Sequence, residues 1–173
     1  MMRIIAVGAV LLASTAALAQ SSYSGMQTRP IKALSEQQVA DLKAGRGMGL
    51  ALAAELNGYP GPSHVLELAD KLDLSADQRV GIQKLFASMK QEALPIGARL
   101  IEQETELDQQ FANRTVTPES LKSATAAVAA TQGALREAHL KYHLSTAAIL
   151  DHGQMRRYAK LRGYDGHPRH KHH

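Results

Sequence analysis

Two long stretches of the chain repeat apolar residues at helical spacing, and only a few residues separate them. In residues 76–113 the apolar positions recur mostly at intervals of three and four, which marks one face of an α-helix. A second helix is predicted to open at Thr117-Pro118, because Thr suits the N-cap and Pro suits the first helical position. The link, Arg114-Thr115-Val116, is so short that the two helices must lie antiparallel. The sequence therefore predicts a long helical hairpin.

The apolar residues of this pattern are expected on the inner face of the hairpin. Two helices cannot enclose a core alone, so this face needs shorter flanking helices or a second subunit. Pro95 lies inside the first helix and predicts a kink there. The inner-face residues are Ile82, Leu85, Met89, Ala93, Ile96, Leu100, Leu107 and Phe111 in the first helix and Leu121, Val128, Leu135, Tyr142 and Ile149 in the second.

The flanking sequence predicts shorter helices and contains no alternating strand pattern. One helix is expected from after Ser35 to residue 56, where Asn57-Gly58 ends it, and a short one over residues 64–72. The run Gly-Arg-Gly-Met-Gly at 45–49 weakens or interrupts the first of these. It is not expected to bind nucleotide phosphates, since no strand precedes it and no Lys-Ser or Lys-Thr follows. The predicted fold class is all-α.

The two ends of the chain differ in composition from the predicted helical domain at 34–164. Residues 1–19 combine an early arginine, a short apolar run and the small-x-small site Ala17-Leu18-Ala19, which is typical of a cleaved secretory signal peptide. Residues 20–33 are polar and predict a flexible arm, and 165–173 form a His-rich basic tail. The mature chain has no Cys and is expected to be a periplasmic protein without disulfide support.

A five-residue pattern of Leu, Ser or Asp, two variable residues and Gln occurs three times. In each copy the second residue suits the N-cap, and Gln falls at N3 of a capping box. Each copy therefore predicts a helix start that contributes about 1 kcal/mol. The copies are Leu34, Ser35 and Gln38; Leu74, Ser75 and Gln78; and Leu150, Asp151 and Gln154.

The second and third copies together resemble the paired L-T-x-x-Q motifs of the Spy/CpxP family of periplasmic proteins. Residues 139–144, which read H-L-x-x-H-L, and the ending at 158–164 are also similar to that family. The resemblance covers about residues 34–164, although Asp-His-Gly stands in the third copy where Thr-Pro-Glu is usual. It implies long antiparallel hairpins that pair into a curved, cradle-like dimer. Members of the family include ATP-independent chaperones, zinc-linked stress proteins and heavy-metal sensors.

The expected function is a holding chaperone or envelope-stress protein for partly unfolded exported proteins, with accessory metal binding. A heavy-metal sensor or metal-resistance protein is the alternative. The expected partners are client proteins and a second copy of the chain. Whether a membrane-bound regulatory protein is also a partner stays open. Nucleic acid is not expected at a net charge of +4. Apolar residues for a concave client surface are Met48, Leu50, Leu52 and Met89.

An enzyme is not expected. The resemblance supplies no catalytic residues. The sequence also contains no G-x-S-x-G motif, no H-E-x-x-H motif and no Cys nucleophile.

One candidate metal group lies in the predicted helices. His139 and His143 are four residues apart, so both point to one side of the second long helix, and two neutral imidazoles can bind zinc or copper. His64 is a third candidate if its short helix folds back onto the open end of the hairpin. In the sensors of the family an early H-x-x-x-H supplies ligands, but Leu68 stands where the second His would be. The alternative, that these histidines are packing or surface residues, stays open.

The tail is the second candidate group. Its histidines can hold a divalent metal ion weakly, with affinity falling as they protonate near about pH 6. A vector-encoded tag and a basic tail for anionic surfaces are the alternatives, and no cofactor is required. The tail histidines are His167, His170, His172 and His173.

Overall fold

In the computed structural model, which describes residues 23–164, every regular element is a helix. This confirms the predicted all-α class. The predicted signal peptide and the tail at 165–173, with its four histidines, lie outside the described residues. A short 3-10 helix at Met26–Thr28 is followed by α1 (Glu36–Lys43), α2 (Leu52–Glu55), α3 (Pro62–Glu67), α4 (Ala76–Ala112), α5 (Pro118–Ile149) and α6 (His152–Leu161).

The two long helices, α4 and α5, pack against each other as an antiparallel hairpin, as predicted. They contain 37 and 32 residues, so they are about 55 Å and about 48 Å long at a rise of about 1.5 Å per residue. Gln78, at the start of α4, donates from Nε2 to the carbonyl oxygen of Ile149, at the end of α5, over 3.0 Å. Residues 113–117 form the closed end of the hairpin, and we call the opposite end the open end. α4 runs on through Pro95.

The segment before the hairpin differs from the prediction of one helix between Ser35 and residue 56. α1 ends at Lys43 and α2 begins at Leu52, and residues 44–51 between them form what we call the glycine loop. Its backbone has positive φ at Gly45, Met48 and Gly49, with values of 64°, 45° and 81°. A continuous helix is wrong here because left-handed backbone cannot continue a right-handed helix. The predicted interruption at the glycines is confirmed. α3 also stops at Glu67, short of the predicted residue 72.

Two apolar clusters hold the flanking helices on the hairpin. The first lies at the open end, where Val65 of α3 packs with Ile82 of α4 and Tyr158 of α6. The second lies further along, where Leu42 of α1 packs with Leu100 and Leu135 of the hairpin. Gly97 is required at this contact, because a Cβ there would lie 2.8 Å from the backbone oxygen of Leu42.

The closed end of the hairpin departs from the predicted inner face. Phe111 and Leu121 carry the apolar pattern but are 55% and 37% exposed. Neither residue belongs to the two apolar clusters, so within residues 23–164 no flanking helix buries these two side chains. Before α1, Ile31 is buried and Lys32 pairs with Asp108 at 3.3 Å, so the described part of the predicted flexible arm contacts the hairpin.

All three copies of the repeated pentapeptide form capping boxes. Ser35, Ser75 and Asp151 each accept from the backbone N–H of the Gln three positions later, and that Gln side chain accepts from the N-cap N–H. A fourth box, between Thr117 and Ser120, has Ser in place of Gln, and sequence reasoning identified only its N-cap.

Candidate functional site

A groove of about 630 Å³ lies at the open end of the hairpin, and we call it the open-end groove. It is lined by residues of the glycine loop, α2, α3, α4 and α5, together with Arg162 and Tyr164 at the end of α6 and beyond it. The surface is mixed, with apolar side chains between charged ones. Its apolar residues include Met48, Leu52, Phe86 and Met89, and its cations include Arg46 and Lys90.

The structure brings the three predicted helical histidines to this one groove. His64 lies on α3, and His139 and His143 lie one turn apart on α5. Among residues 23–164, however, no group of three or more His, Asp or Glu side chains is arranged to hold a metal ion. His64 pairs instead with Glu67 of its own helix, at 3.2 Å between Nδ1 and Oε2.

His143 is packed tightly into the base of the groove. Its Nδ1 lies 2.7 Å from the carbonyl oxygen of Tyr59, and because a carbonyl only accepts, Nδ1 must carry a hydrogen. The ring also touches Gly61, where an added Cβ would lie 2.8 Å from Nε2. Gly61 is therefore needed for close approach. These contacts give His143 a clear packing role.

His139 is buried and keeps an unpaired ring nitrogen. Its side chain lies against Gly47, where an added Cβ would stand 3.4 Å from Nδ1. Its Nε2 is buried without a hydrogen-bond partner among the residues described. Burial, and to a lesser extent the charge of His143, lowers the pKa of His139 below its usual 6.5. The imidazole is therefore neutral at pH 7.

Sequence reasoning missed a buried polar cluster that borders the groove and is centred on Glu55. This carboxylate is 6% exposed. It accepts from the hydroxyls of Tyr158 and Tyr164, the latter over 3.2 Å, and from the backbone N–H of Gly61 over 3.1 Å. Arg162 Nε lies 3.7 Å from the same carboxylate. The cluster ties α2 to α6 and to the last described residue.

The tyrosine at the centre of this cluster remains a donor. Burial first, and then the hydrogen bond to Glu55, raises the pKa of Tyr158 far above its usual range. Its hydroxyl stays protonated at physiological pH and keeps donating to the carboxylate. No sequence signal pointed to the pair, because 103 positions separate the two residues.

The predicted motif residues lie away from the groove. None of the nine residues of the three pentapeptides lines it. Of the predicted client residues, Met48, Leu52 and Met89 line it, whereas Leu50 packs against the apolar cluster around Leu42.

Comparisons with known proteins found no matching family model, no similar curated protein and no similar solved structure. The resemblance to the Spy/CpxP family therefore stays a prediction that depends on the motifs alone.

No helix within residues 23–164 combines the length and the apolar character that crossing a membrane requires.

Proposed function

We propose that this protein is a periplasmic holding chaperone of the envelope-stress type, which binds partly unfolded exported proteins without ATP. One observation carries the proposal. Four large apolar side chains are exposed within the short segment that borders the open-end groove. They are Met48, Leu52, Leu56 and Tyr59, which are 40%, 54%, 58% and 44% exposed.

An exposed apolar patch of this kind favours contact with other apolar chains. Single exposed apolar residues are ordinary on a protein surface, whereas a group of them beside a groove is typical of an interaction site. Met48 adds a flexible side chain that adapts to different shapes. Arg46 and Lys90 line the same groove, so a client would meet apolar surface next to charge. Such a surface suits weak and unselective binding.

A client assay tests the proposal directly. At stoichiometric amounts and without ATP, the mature chain is expected to suppress the aggregation of a chemically denatured enzyme, measured by light scattering. Leu52→Ser is expected to reduce this suppression, because it removes apolar surface from the patch.

Leu144→Ser is the matched control. The exposed fraction of Leu144, 58%, is similar to the 54% of Leu52, but Leu144 lies outside the groove. Unchanged aggregation in the presence of the wild-type chain, or equal losses in the two variants, would reject the proposed client surface.

A metal-sensing or metal-resistance function is the second candidate, and the common placement of His64, His139 and His143 in one groove favours it. Zinc and copper titrations would compare the full chain, a chain that ends at Tyr164, and His139→Ala/His143→Ala. If removal of the tail alone abolishes binding, the groove is not the metal site. If only the double variant loses binding, the groove histidines hold the ion.

The proposal also includes export. Because residues 1–19 have the features of a signal peptide, the mature protein isolated from the periplasm is expected to begin at Gln20. N-terminal sequencing of the fractionated protein would check this, and a mature chain that keeps Met1 would contradict it.

A further inference from the structure

We propose that the open-end groove also binds a small single-chain amphiphile with an anionic head group, of the medium-chain fatty-acid class. In this assignment the carboxylate lies at Lys90, and the alkyl chain lies over Phe86 and Met89 towards Met48. The inference goes beyond the proposed function because it assigns a small-molecule ligand to the site.

The size and the surface of the groove suit such a ligand. Its volume of about 630 Å³ falls within the range of about 300–1,000 Å³ that is common for small-molecule sites. Such sites combine an apolar lining with a few polar groups that orient the ligand. Met48, Leu52, Phe86 and Met89 supply the apolar part. An alkyl chain would cover the exposed Met48 and Leu52 from water and would contact the buried Met89 at its exposed edge.

A cation stands directly beside this apolar surface. Phe86 and Lys90 are four residues apart on α4 and thus lie on the same side of the helix. Lys90 Nζ is 6.0 Å from the centroid of the Phe86 ring. A ligand that lays its chain on Phe86 would therefore bring its head group to the ammonium. Amphiphiles have this combination of a charged head and an apolar chain.

The formal charge of the lining is positive, which favours an anion. Three cationic side chains, Arg46, Lys90 and Arg162, line the groove with two carboxylates, Glu55 and Glu67.

Of the lining cations, two also have acidic neighbours. Arg46 pairs with Asp41 at 2.5 Å, and Arg162 lies 3.7 Å from Glu55. Lys90 takes part in none of the ion pairs found within the described part of the chain. Its positive charge is therefore the one that a ligand head group would compensate.

Methionine methyl groups provide the readout. With isotope-labelled methionine, decanoate below its critical micelle concentration is expected to shift the NMR signals of Met48 and Met89 and to saturate. Met26 and Met155 lie outside the groove and serve as internal controls. Acetate lacks the chain, and decyltrimethylammonium carries the opposite charge. Neither is expected to produce the same shifts.

Two pairs of variants locate the head and the chain. Lys90→Gln is expected to weaken decanoate binding by about threefold, the size of a partly exposed ion pair, whereas Lys84→Gln on the exposed side of α4 leaves it unchanged. Ala51→Trp fills the groove and is expected to abolish binding, while Ala53→Trp on the exposed side of α2 does not.

The absence of shifts at Met48 and Met89, or equal shifts at all four methionines, would overturn the assignment of the groove. Equal binding of the cationic amphiphile, or equal effects of Lys90→Gln and Lys84→Gln, would overturn the anionic head group. These measurements contain no client protein, and the aggregation assay contains no amphiphile. Failure of the ligand site is therefore distinguishable from failure of the chaperone proposal.

Discussion

Glu55 joins three segments of the chain at the open end. Its carboxylate is the common acceptor for Tyr158 of α6, Tyr164 beyond α6 and the backbone of Gly61 before α3. A buried donor that loses its acceptor costs more free energy than a hydrogen bond contributes when both partners are present. The loss of this carboxylate would leave two buried donors and the half-buried Tyr164 hydroxyl without their acceptor at once.

Glu55→Ala is therefore expected to lower the free energy of unfolding by about 2–4 kcal/mol. Urea unfolding followed by circular dichroism would measure the change. Glu102→Ala is the matched control, because Glu102 is exposed on α4, and its effect is expected to stay within about 0.5 kcal/mol. A Glu55 variant as stable as the Glu102 variant would contradict the assigned role of the carboxylate.

His139 makes the stability depend on pH in a defined direction. Burial lowers its pKa in the folded chain, whereas an unfolded histidine titrates near about 6.5. Below that pH the unfolded chain takes up more protons at this site. The contribution of His139 to folding stability is thus fully present above the pKa of the unfolded histidine and declines as the pH falls below it.

Urea unfolding at about pH 7.5 and about pH 5.5 would test this direction. The free energy of unfolding is expected to be lower at the acidic pH. His139→Gln is expected to show a smaller loss between the two pH values than the wild type. His152→Gln, at an exposed histidine, should keep the wild-type loss. If the two variants lose the same stability on acidification, His139 is not a source of the dependence.

At the scale of helices, the capping boxes do more than start each helix. Gln78 and Gln154 occupy N3 of α4 and α6, and their side-chain amides donate to each other over 2.9 Å in both directions. Gln78 also donates to the carbonyl oxygen of Ile149 over 3.0 Å. The start of α4, the end of α5 and the start of α6 are joined by these two residues. Gln38 of α1 has the same cap but no such cross-helix bond among the described residues.

Gln154→Ala is therefore expected to destabilise the protein by about 2–3 kcal/mol, because it removes the side chain that accepts from the Asp151 N–H and pairs with Gln78. Gln38→Ala removes only the reciprocal bond to the Ser35 N–H and is expected to cost about 0.5–1 kcal/mol. Urea unfolding would compare the two. The double variant with Gln78→Ala should be less destabilised than the sum of the single variants, by about 1 kcal/mol. Additive losses would show that the pair does not couple the helices.

At the scale of the whole molecule, exposed apolar residues at the closed end of the hairpin lead us to expect association. Phe111 and Leu121 continue the apolar pattern of the inner face, yet they are exposed in the single chain. We therefore expect the cradle-like homodimer that the family resemblance implies, with this end of the hairpin buried by the second copy. Sedimentation at about micromolar concentration is expected to give a dimer, because an interface with a Kd below about 1 μM keeps the two copies together at this concentration.

Phe111→Ser is expected to shift the equilibrium towards monomer. Val80→Ser is the control, because Val80 is 48% exposed near the open end and should leave the assembly unchanged. A monomeric wild-type chain at this concentration would contradict the predicted dimer. Equal weakening by both variants would place the interface elsewhere on the hairpin.

The secondary structure follows from the sequence where its cause is local. The repeated pentapeptide locates three of the four capping boxes, because a cap and its N3 partner are three residues apart. The same holds for the hairpin, whose helices follow from a periodic pattern and a short link. The prediction of a single helix fails between Ser35 and residue 56. A helical pattern continues there across Gly45 and Gly49, but the backbone has positive φ at both glycines.

The candidate site follows from the sequence only in part. The spacing of His139 and His143 is a helical property, so their common side was predictable, and His64 joins them in the groove. Whether they form a metal centre depends on angles between helices that no local pattern specifies. Glu55 had no signal at all, since its neighbours are apolar residues of a short helix.

By itself, the sequence determined the helical class of this protein, the starts of its main helices and the antiparallel order of the two long ones. These depend on interactions between residues a few positions apart, which any part of the chain makes for itself. Only the tertiary structure decided that Gln78 pairs with Gln154 across 76 positions, that Glu55 binds Tyr158 across 103, and that the glycine loop borders a groove. Such contacts depend on how helices pack, which is the combined result of many weak contacts between distant residues.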